Sequence, residues 1–194
     1  MGSSSAATTE GVDRVEIPPL PGFAQVYEEH FEFVWASARR LGVSDAALDD
    51  VVQEVFVIVH RKLGEFAGRS SVRTWLFAIV RNVARDARRS VRRKSPHQAP
   101  GAHEDPEVLA AAEGERPDRI AERSAENRVL HELLDALDDD KREVFVLAEL
   151  EGFSAPEIAE AVGANVNTVY SRLRLARQEF AEAAARFRAR EAGR

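Results

Sequence analysis

Two long stripes of helical period, following one another between residues 48 and 94, constrain this chain more than any other feature. In the first, Leu48, Val51, Val52, Val55, Phe56, Val59 and Leu63 stand at offsets 0, 3, 4, 7, 8, 11 and 15, one face of a 3.6-residue period. In the second, Val72, Trp75, Leu76, Ile79, Val80, Val83, Ala84 and Ala87 stand at offsets 0, 3, 4, 7, 8, 11, 12 and 15. A lone helix cannot hide such a stripe from water, so each predicts packing against another helix.

The opposite faces of these two helices are informative. Behind the first stripe lie Asp50, Gln53, Glu54, Val57 and Arg61, with Ile58 beside them. A merely solvated face has no use for Val57 and Ile58. Behind the second stripe, Arg81, Arg85, Arg88 and Arg92 stand at i, i+4, i+7 and i+11, with Arg73, Arg89, Arg93 and Lys94 nearby. The formal net charge is −6, yet residues 69–94 carry nine basic and one acidic side chain. With a Debye length of about 8 Å at physiological salt, a phosphate at this patch feels the patch more than the distant total. An exposed guanidinium flank therefore suits a phosphate backbone, with a plain solvated helix end as the alternative.

Composition removes several function classes. The 194 residues contain no cysteine, which excludes a disulfide framework, a thiolate zinc site and a cysteine nucleophile. No apolar run approaches the roughly 18 residues of a membrane span, and the first twenty residues lack the order of a signal peptide, so membrane insertion is not expected and a cytoplasmic location is. His60 and His131 lie on expected helices without partners at metal spacing, and His97 and His103 lie in a polar stretch. No glycine-rich phosphate loop and no Ser-His-Asp arrangement appears, so the expectation is no catalytic residue, no metal and no cofactor.

The remaining chain divides around these helices. Residues 1–20, polar and proline-punctuated, read as a disordered or loosely tethered arm. From Phe23 to about Leu41, Phe23, Val26, Tyr27, Phe31, Val34, Trp35 and Ala38 recur at helical spacing, Gly42 marks a stop, and Ser44 or Asp45 caps the next helix. The loop GEFAGRSS, residues 64–71, separates the two principal helices, with Ser70 or Ser71 as the next cap. Residues 95–126, rich in Pro, Gly and acids, read as a linker. This leaves one helical unit at 21–94 and a second at 127–190.

In the second unit, Leu130, Leu133, Leu134 and Leu137 mark one helix and Val144, Phe145, Leu147, Ala148 and Leu150 another, ending near Gly152. Ser154-Ala155-Pro156-Glu157 is a capping box with proline in the first turn. It opens a short helix with Ile158, Ala159 and Val162 inward, stopped by Gly163. Asn165 caps a longer helix with Val166, Val169, Leu173, Ala176 and Phe180 inward. A short helix, a tight turn and a longer helix crossing at a small residue is the helix-turn-helix pattern, though generic helical hairpins share it. Asn167, Thr168, Ser171, Arg172 and Arg174 are left outward, types that hydrogen-bond base edges or phosphates.

Taken together, DDVVQEVFVIVHRKLGEF and SVRTWLFAIVRNVARDARR in the first unit and SAPEIAEAVGANVNTVYSRLRLARQEF in the second resemble the extracytoplasmic-function group of sigma-70-like RNA polymerase sigma factors. The resemblance covers about residues 23–94 and 127–188. It implies an all-α fold of two small helical domains, region 2 and region 4, joined by an acidic linker. It implies that Asp50, Gln53, Glu54, Val57 and Arg61 meet the clamp helices of the largest subunit of core RNA polymerase, with the flap of the second-largest subunit as a further partner. It implies that Phe66, Arg69, Ser70 and Asn82 read the minus-10 element of promoter DNA through a flipped base, while Arg81, Arg85, Arg88 and Arg89 hold phosphates. Asn167, Thr168, Ser171, Arg172 and Arg174 would then contact the minus-35 element. The linker, with acidic Glu104, Asp105 and Glu107, would thread towards the polymerase active centre, and an anti-sigma protein is a further expected partner. Two other readings fit the same residues: a free-standing helix-turn-helix regulator whose first unit senses or dimerises, and a helical adaptor whose basic stripe meets acidic proteins.

Overall fold

A computed structural model describes residues 22–94 and 127–193, so the arm at 1–20 and the linker at 95–126 lie outside the described residues. Helix α1 spans Phe23–Arg40, α2 Asp45–Lys62 and α3 Val72–Lys94; a single 3-10 turn, Leu63–Glu65, follows α2. Both stripes read from the sequence are core. Leu48, Val51, Val52, Val55, Phe56, Val59 and Leu63 are all buried, and Leu76, Ile79, Val80, Val83 and Ala84 join them from α3. Val34, Val55, Val59, Leu76, Phe77 and Val80 have essentially no exposed surface. At roughly 1.5–3 kcal/mol for each fully buried aliphatic or aromatic side chain, this layer is the principal driving force for the first unit.

Local chemistry sets the helix ends. Helix α1 stops because Gly42 takes a left-handed φ of +84° and its N–H bonds Arg39 O at 2.9 Å. Ser44 occupies the N-cap of α2 without a side-chain cap bond, and Asp45 instead pairs with Arg39 at 3.3 Å. Of the two candidate caps on α3, Ser71 is the one used: its Oγ accepts from Thr74 N at 3.1 Å.

The second unit holds α4 (127–134), α5 (Asp139–Phe145), α6 (Ala155–Val162) and α7 (Val166–Ala192). Leu137 is buried but lies beyond the end of α4, so the first of its expected helices is one turn shorter than its leucines suggested. Helix α5 widens into a π turn at Val146–Leu150. Arg142 to Leu147 are buried on every side of the helix. The capping box of α6 forms as expected, with Ser154 N and Oγ donating to Glu157 Oε2 at 2.8 and 2.6 Å. Gly163 closes α6 at φ +67°, and Asn165 Oδ1 accepts from Thr168 N at 2.8 Å to open α7.

The two units touch. Helix α3 packs against α6, and Phe33 of α1 stacks on Phe153 with ring centroids 6.4 Å apart.

Candidate functional site

Three surfaces carry the residues singled out above. On α2 the outward stripe emerges as expected: Asp50, Gln53, Glu54, Val57 and Arg61 are all exposed, and Val57 keeps 42% of its surface in water. It borders a groove of about 610 Å³ between α1 and α2, to which Gln53, Val57 and Arg61 contribute one wall. Phe23, Tyr27 and Phe31 of α1 form the other wall, with Tyr27 4.7 Å from Phe56 and Phe23 edge-on to His60 at 5.0 Å. The aromatic wall belongs to the helical stripe of α1, and the exposure of Tyr27 shows that the edge of that stripe is surface.

The second surface comprises the loop after α2 and the outward side of α3. Arg69 is exposed, Ser70 is half-buried, and Phe66 is half-buried against Trp75 with centroids 5.1 Å apart. Trp75 itself packs on the core, in keeping with its place in the stripe. Asn82 is exposed ten residues into α3, about 15 Å along the axis from the start of that helix at 1.5 Å per residue. A nucleic-acid strand with about 3.4 Å per nucleotide would reach from one to the other in roughly four nucleotides.

The arginine flank departs from expectation. Arg89 is exposed, but Arg81, Arg85 and Arg88 face the second unit with side-chain exposures of only 18%, 23% and 15%. Arg81 Nε donates to Glu143 Oε2 at 2.6 Å and Arg85 Nε to Glu143 Oε1 at 2.5 Å. Arg88 Nη1 pairs with Asp139 Oδ1 at 2.7 Å and also donates to Leu41 O at 3.0 Å. The physical reason is a row of carboxylates on α5 that the sequence alone gave no means of placing opposite these arginines. Burial by itself would lower the Arg85 pKa, but hydrogen bonds from its guanidinium to Glu143 and Asp140 outweigh that and raise it further.

The third surface is the start of α7. Asn167, Ser171 and Arg174 are exposed on one side, with Ser171 Oγ donating to Asn167 O at 3.0 Å. Thr168 is half-buried and its Oγ1 shares Asn165 Oδ1 at 3.0 Å, so it serves the cap as well as the surface. Arg172 does not project outward: its Nη2 donates to Asp140 Oδ2 at 2.5 Å. Tyr170, 59% exposed, joins Asn167, Ser171 and Arg174 on the open face and was missed. Its i+3 spacing from Asn167 was the available signal. Behind this face Val169, Leu173 and Ala176 are buried, and Ala159 is buried where α6 and α7 cross.

Charge tuning elsewhere supports the framework. Partial burial would raise the Asp138 pKa, but its hydrogen bonds from Lys141 at the start of α5 hold it below the usual range. Hydrogen bonds from Ser154 lower that of Glu157, and burial lowers that of His30. Among the described residues no group of acidic or histidine side chains is arranged to hold a metal ion, and no helix is long and apolar enough to cross a membrane.

A first bundle with a basic helix and a second unit built as helix-turn-helix now stand in chain order. Residues 26–94 match the family model for sigma-70 region 2, and residues 127–180 match that for sigma-70 region 4. The chain belongs to the sigma-70 family of RNA polymerase sigma factors. Within that family it is an extracytoplasmic-function sigma factor. RNA polymerase sigma factor NccH of Alcaligenes xylosoxydans xylosoxydans is 34% identical over 157 residues, which span 80% of this chain and 82% of NccH. The ECF RNA polymerase sigma factor SigC of Mycobacterium tuberculosis is 32% identical over 179 residues, spanning 90% of this chain and 92% of SigC. Among solved structures, CnrH in complex with the cytosolic domain of CnrY aligns with a TM-score of 0.60 and 28% identity, covering 84% of this chain and 87% of that one. The sigma factor is thus all-α, with region 2 in its first unit and region 4 in its second.

Proposed function

We propose that this sigma factor gives core RNA polymerase its promoter specificity through the three surfaces described, and contributes no catalytic group itself. The stripe of Asp50, Gln53, Glu54, Val57 and Arg61 takes the clamp helices of the largest subunit, and the flap of the second-largest subunit holds the second unit. Phe66, Arg69, Ser70 and Asn82 capture and read the minus-10 element. Unstacking a base costs a few kcal/mol, so a site that compensates this cost for one sequence both opens and recognises the duplex. Arg81, Arg85, Arg88 and Arg89 hold phosphates of the opening strands. The open face of α7, with Asn167, Thr168, Ser171 and Arg174, reads the minus-35 element in the major groove, joined by Arg172 once it leaves Asp140.

The observation that carries this reading over a free-standing regulator is Val57, an exposed aliphatic set in a charged stripe beside an aromatic groove. A DNA-binding protein acting alone has no need of it. A protein that must dock on a larger enzyme does. The solved pairing of CnrH with the cytosolic domain of CnrY is that of a relative with a protein partner, and supports a further protein partner here, which we read as an anti-sigma protein. A subunit of polymerase works where polymerase does, so the protein is assigned to the cytoplasm. The test is run-off transcription from a cognate promoter with purified core enzyme. Specific initiation on adding the chain supports the reading, whereas tight operator binding without polymerase and no initiation would favour the free-standing regulator.

A further inference from the structure

We propose that the segment Arg14–Leu20 of the N-terminal arm docks in the groove between α1 and α2 of its own chain, and that polymerase must displace it to reach the outer stripe of α2. The displacement follows from the reading of that stripe as a polymerase surface; the docking does not need it. Phe23, Tyr27 and Phe31 stand about one turn apart along α1 and form one wall of the groove, with Phe56 of α2 beneath them. Phe31 stacks on Phe56 with centroids 6.2 Å apart and 10° between planes, and Tyr27 lies 4.7 Å from the same ring. Tyr27 is 41% exposed, so a large apolar surface faces water there. Aromatic-lined grooves receive extended, proline-rich segments, whose backbone costs little entropy to order.

The arm supplies such a segment at the end of the groove. Three of the eight prolines, Pro18, Pro19 and Pro21, fall within the five residues before Phe23. Each proline fixes its own φ at about −65° and biases the residue before it to extended backbone, so the sequence from Ile17 to Pro21 favours one conformation. Gly22 is itself extended, with φ −65° and ψ 155°, and a Cβ added to it would meet nothing within 4 Å, so the chain approaches α1 through open space. The three Cα steps from Phe23 back to Leu20 span at most about 10 Å, about one interhelical distance. Leu20 therefore reaches the mouth of the groove, where Phe23 meets His60.

Length, side and charge then agree. Phe23 to Phe31 is about 12 Å of helix at 1.5 Å per residue, and Leu20 back to Glu16 is about 12 Å at 3.1 Å per residue. With three residues per turn, Leu20 and Ile17 share one side of the segment and bring both apolar chains onto the rings. Arg14 continues that side, about 19 Å from Leu20. Asp49, exposed at the far end of the groove, lies about 16 Å along α2 from His60, so the cation comes level with the carboxylate. A segment seated there lies against the wall opposite Gln53 and Val57 and leaves a polymerase helix no room above them. Being tied to the groove, it acts at an effective concentration on the order of millimolar, so weak contacts suffice.

The test uses the full chain. Ile17→Asp combined with Leu20→Asp puts charge on the two side chains assigned to the rings, and Ala6→Asp combined with Thr8→Asp adds the same charge outside the segment. Amide NMR spectra of the free chain should show shifts at Tyr27, Phe31, Gln53 and Val57 between wild type and the first variant, and none there for the second. Unmoved groove signals in the first variant, moved ones in the second, or shifts that fade on dilution, as they would for the arm of a second copy, overturn the docking. Fluorescence anisotropy with core polymerase should show about tenfold tighter binding by the first variant than by wild type, the gain when a competent fraction of roughly one in ten becomes dominant. Equal affinity overturns the competition alone. If neither wild type nor variant binds core polymerase, the functional reading falls and the competition with it, while the NMR comparison still decides the docking.

Discussion

Replacing Val57 with threonine separates a docking surface from an ordinary helix face. Threonine preserves the β-branch and nearly the volume, and at 42% exposure its hydroxyl can reach water in the free chain. The free protein should therefore lose no more than about 0.5 kcal/mol, as is usual for surface substitutions away from caps and cores. On polymerase the remaining surface becomes buried. Full burial of valine is worth about 1.5–3 kcal/mol, so the 42% still exposed corresponds to about 0.6–1.3 kcal/mol. Threonine keeps one of the two methyls, so about half of this is lost, a weakening of roughly two- to threefold at 1.4 kcal/mol per decade, and a hydroxyl left unpaired in a dry interface would weaken docking further. Titration of labelled chain into core polymerase by fluorescence anisotropy measures the change, with thermal unfolding of the free chain alongside. Unchanged affinity in a folded variant would refute the assignment of this stripe. A loss of stability as large as the loss of binding would show that Val57 acts as core.

Other consequences are open to direct measurement. Gly42→Ala should destabilise the chain by at least about 1–2 kcal/mol, read as a lower Tm, because φ +84° is strained for alanine and Arg142 stands in the way. Arg142 cannot swing aside easily, being tied to Leu134 O at 3.0 Å and Asp135 at 2.7 Å. Asn165→Ala removes the cap of α7 and should cost about 1 kcal/mol, weakening minus-35 binding while core association is unchanged in a binding assay. On acidification the carboxylates of Glu157 and Asp138, both depressed in the fold, bind protons more readily in the unfolded chain. Their stabilisation is complete above the ordinary values of 4.5 and 3.8 and is lost as pH falls below them, so denaturant melts should weaken below about pH 4.5 and Glu157→Gln should flatten the slope.

Much of this architecture was legible because it is written in local spacing. The α2 stripe is core residue by residue, the α3 stripe is core from Leu76 to Ala84 with Val72, Trp75 and Ala87 partly buried against it, and the caps at Ser154 and Asn165 formed where a polar side chain preceded an apolar run. Residues on a single helix face, such as Gln53 and Val57, need only the helical period to be placed outward. The misplacements share one cause. Arg81, Arg85, Arg88 and Arg172 are exposed on their own helices but covered by α5, and no periodicity reports which distant carboxylate an arginine meets. Glu143 carried a faint signal, an acid next to Val144, Phe145, Val146 and Leu147, where a charge requires a partner.

The most direct measurement is reconstitution: purified chain, bacterial core polymerase and a cognate promoter in a run-off assay, with wild type compared against Asn82→Ala. The account predicts a specific transcript with wild type, and with Asn82→Ala a loss of promoter opening larger than any loss of core association. No transcript from a folded, polymerase-bound wild-type chain would contradict it.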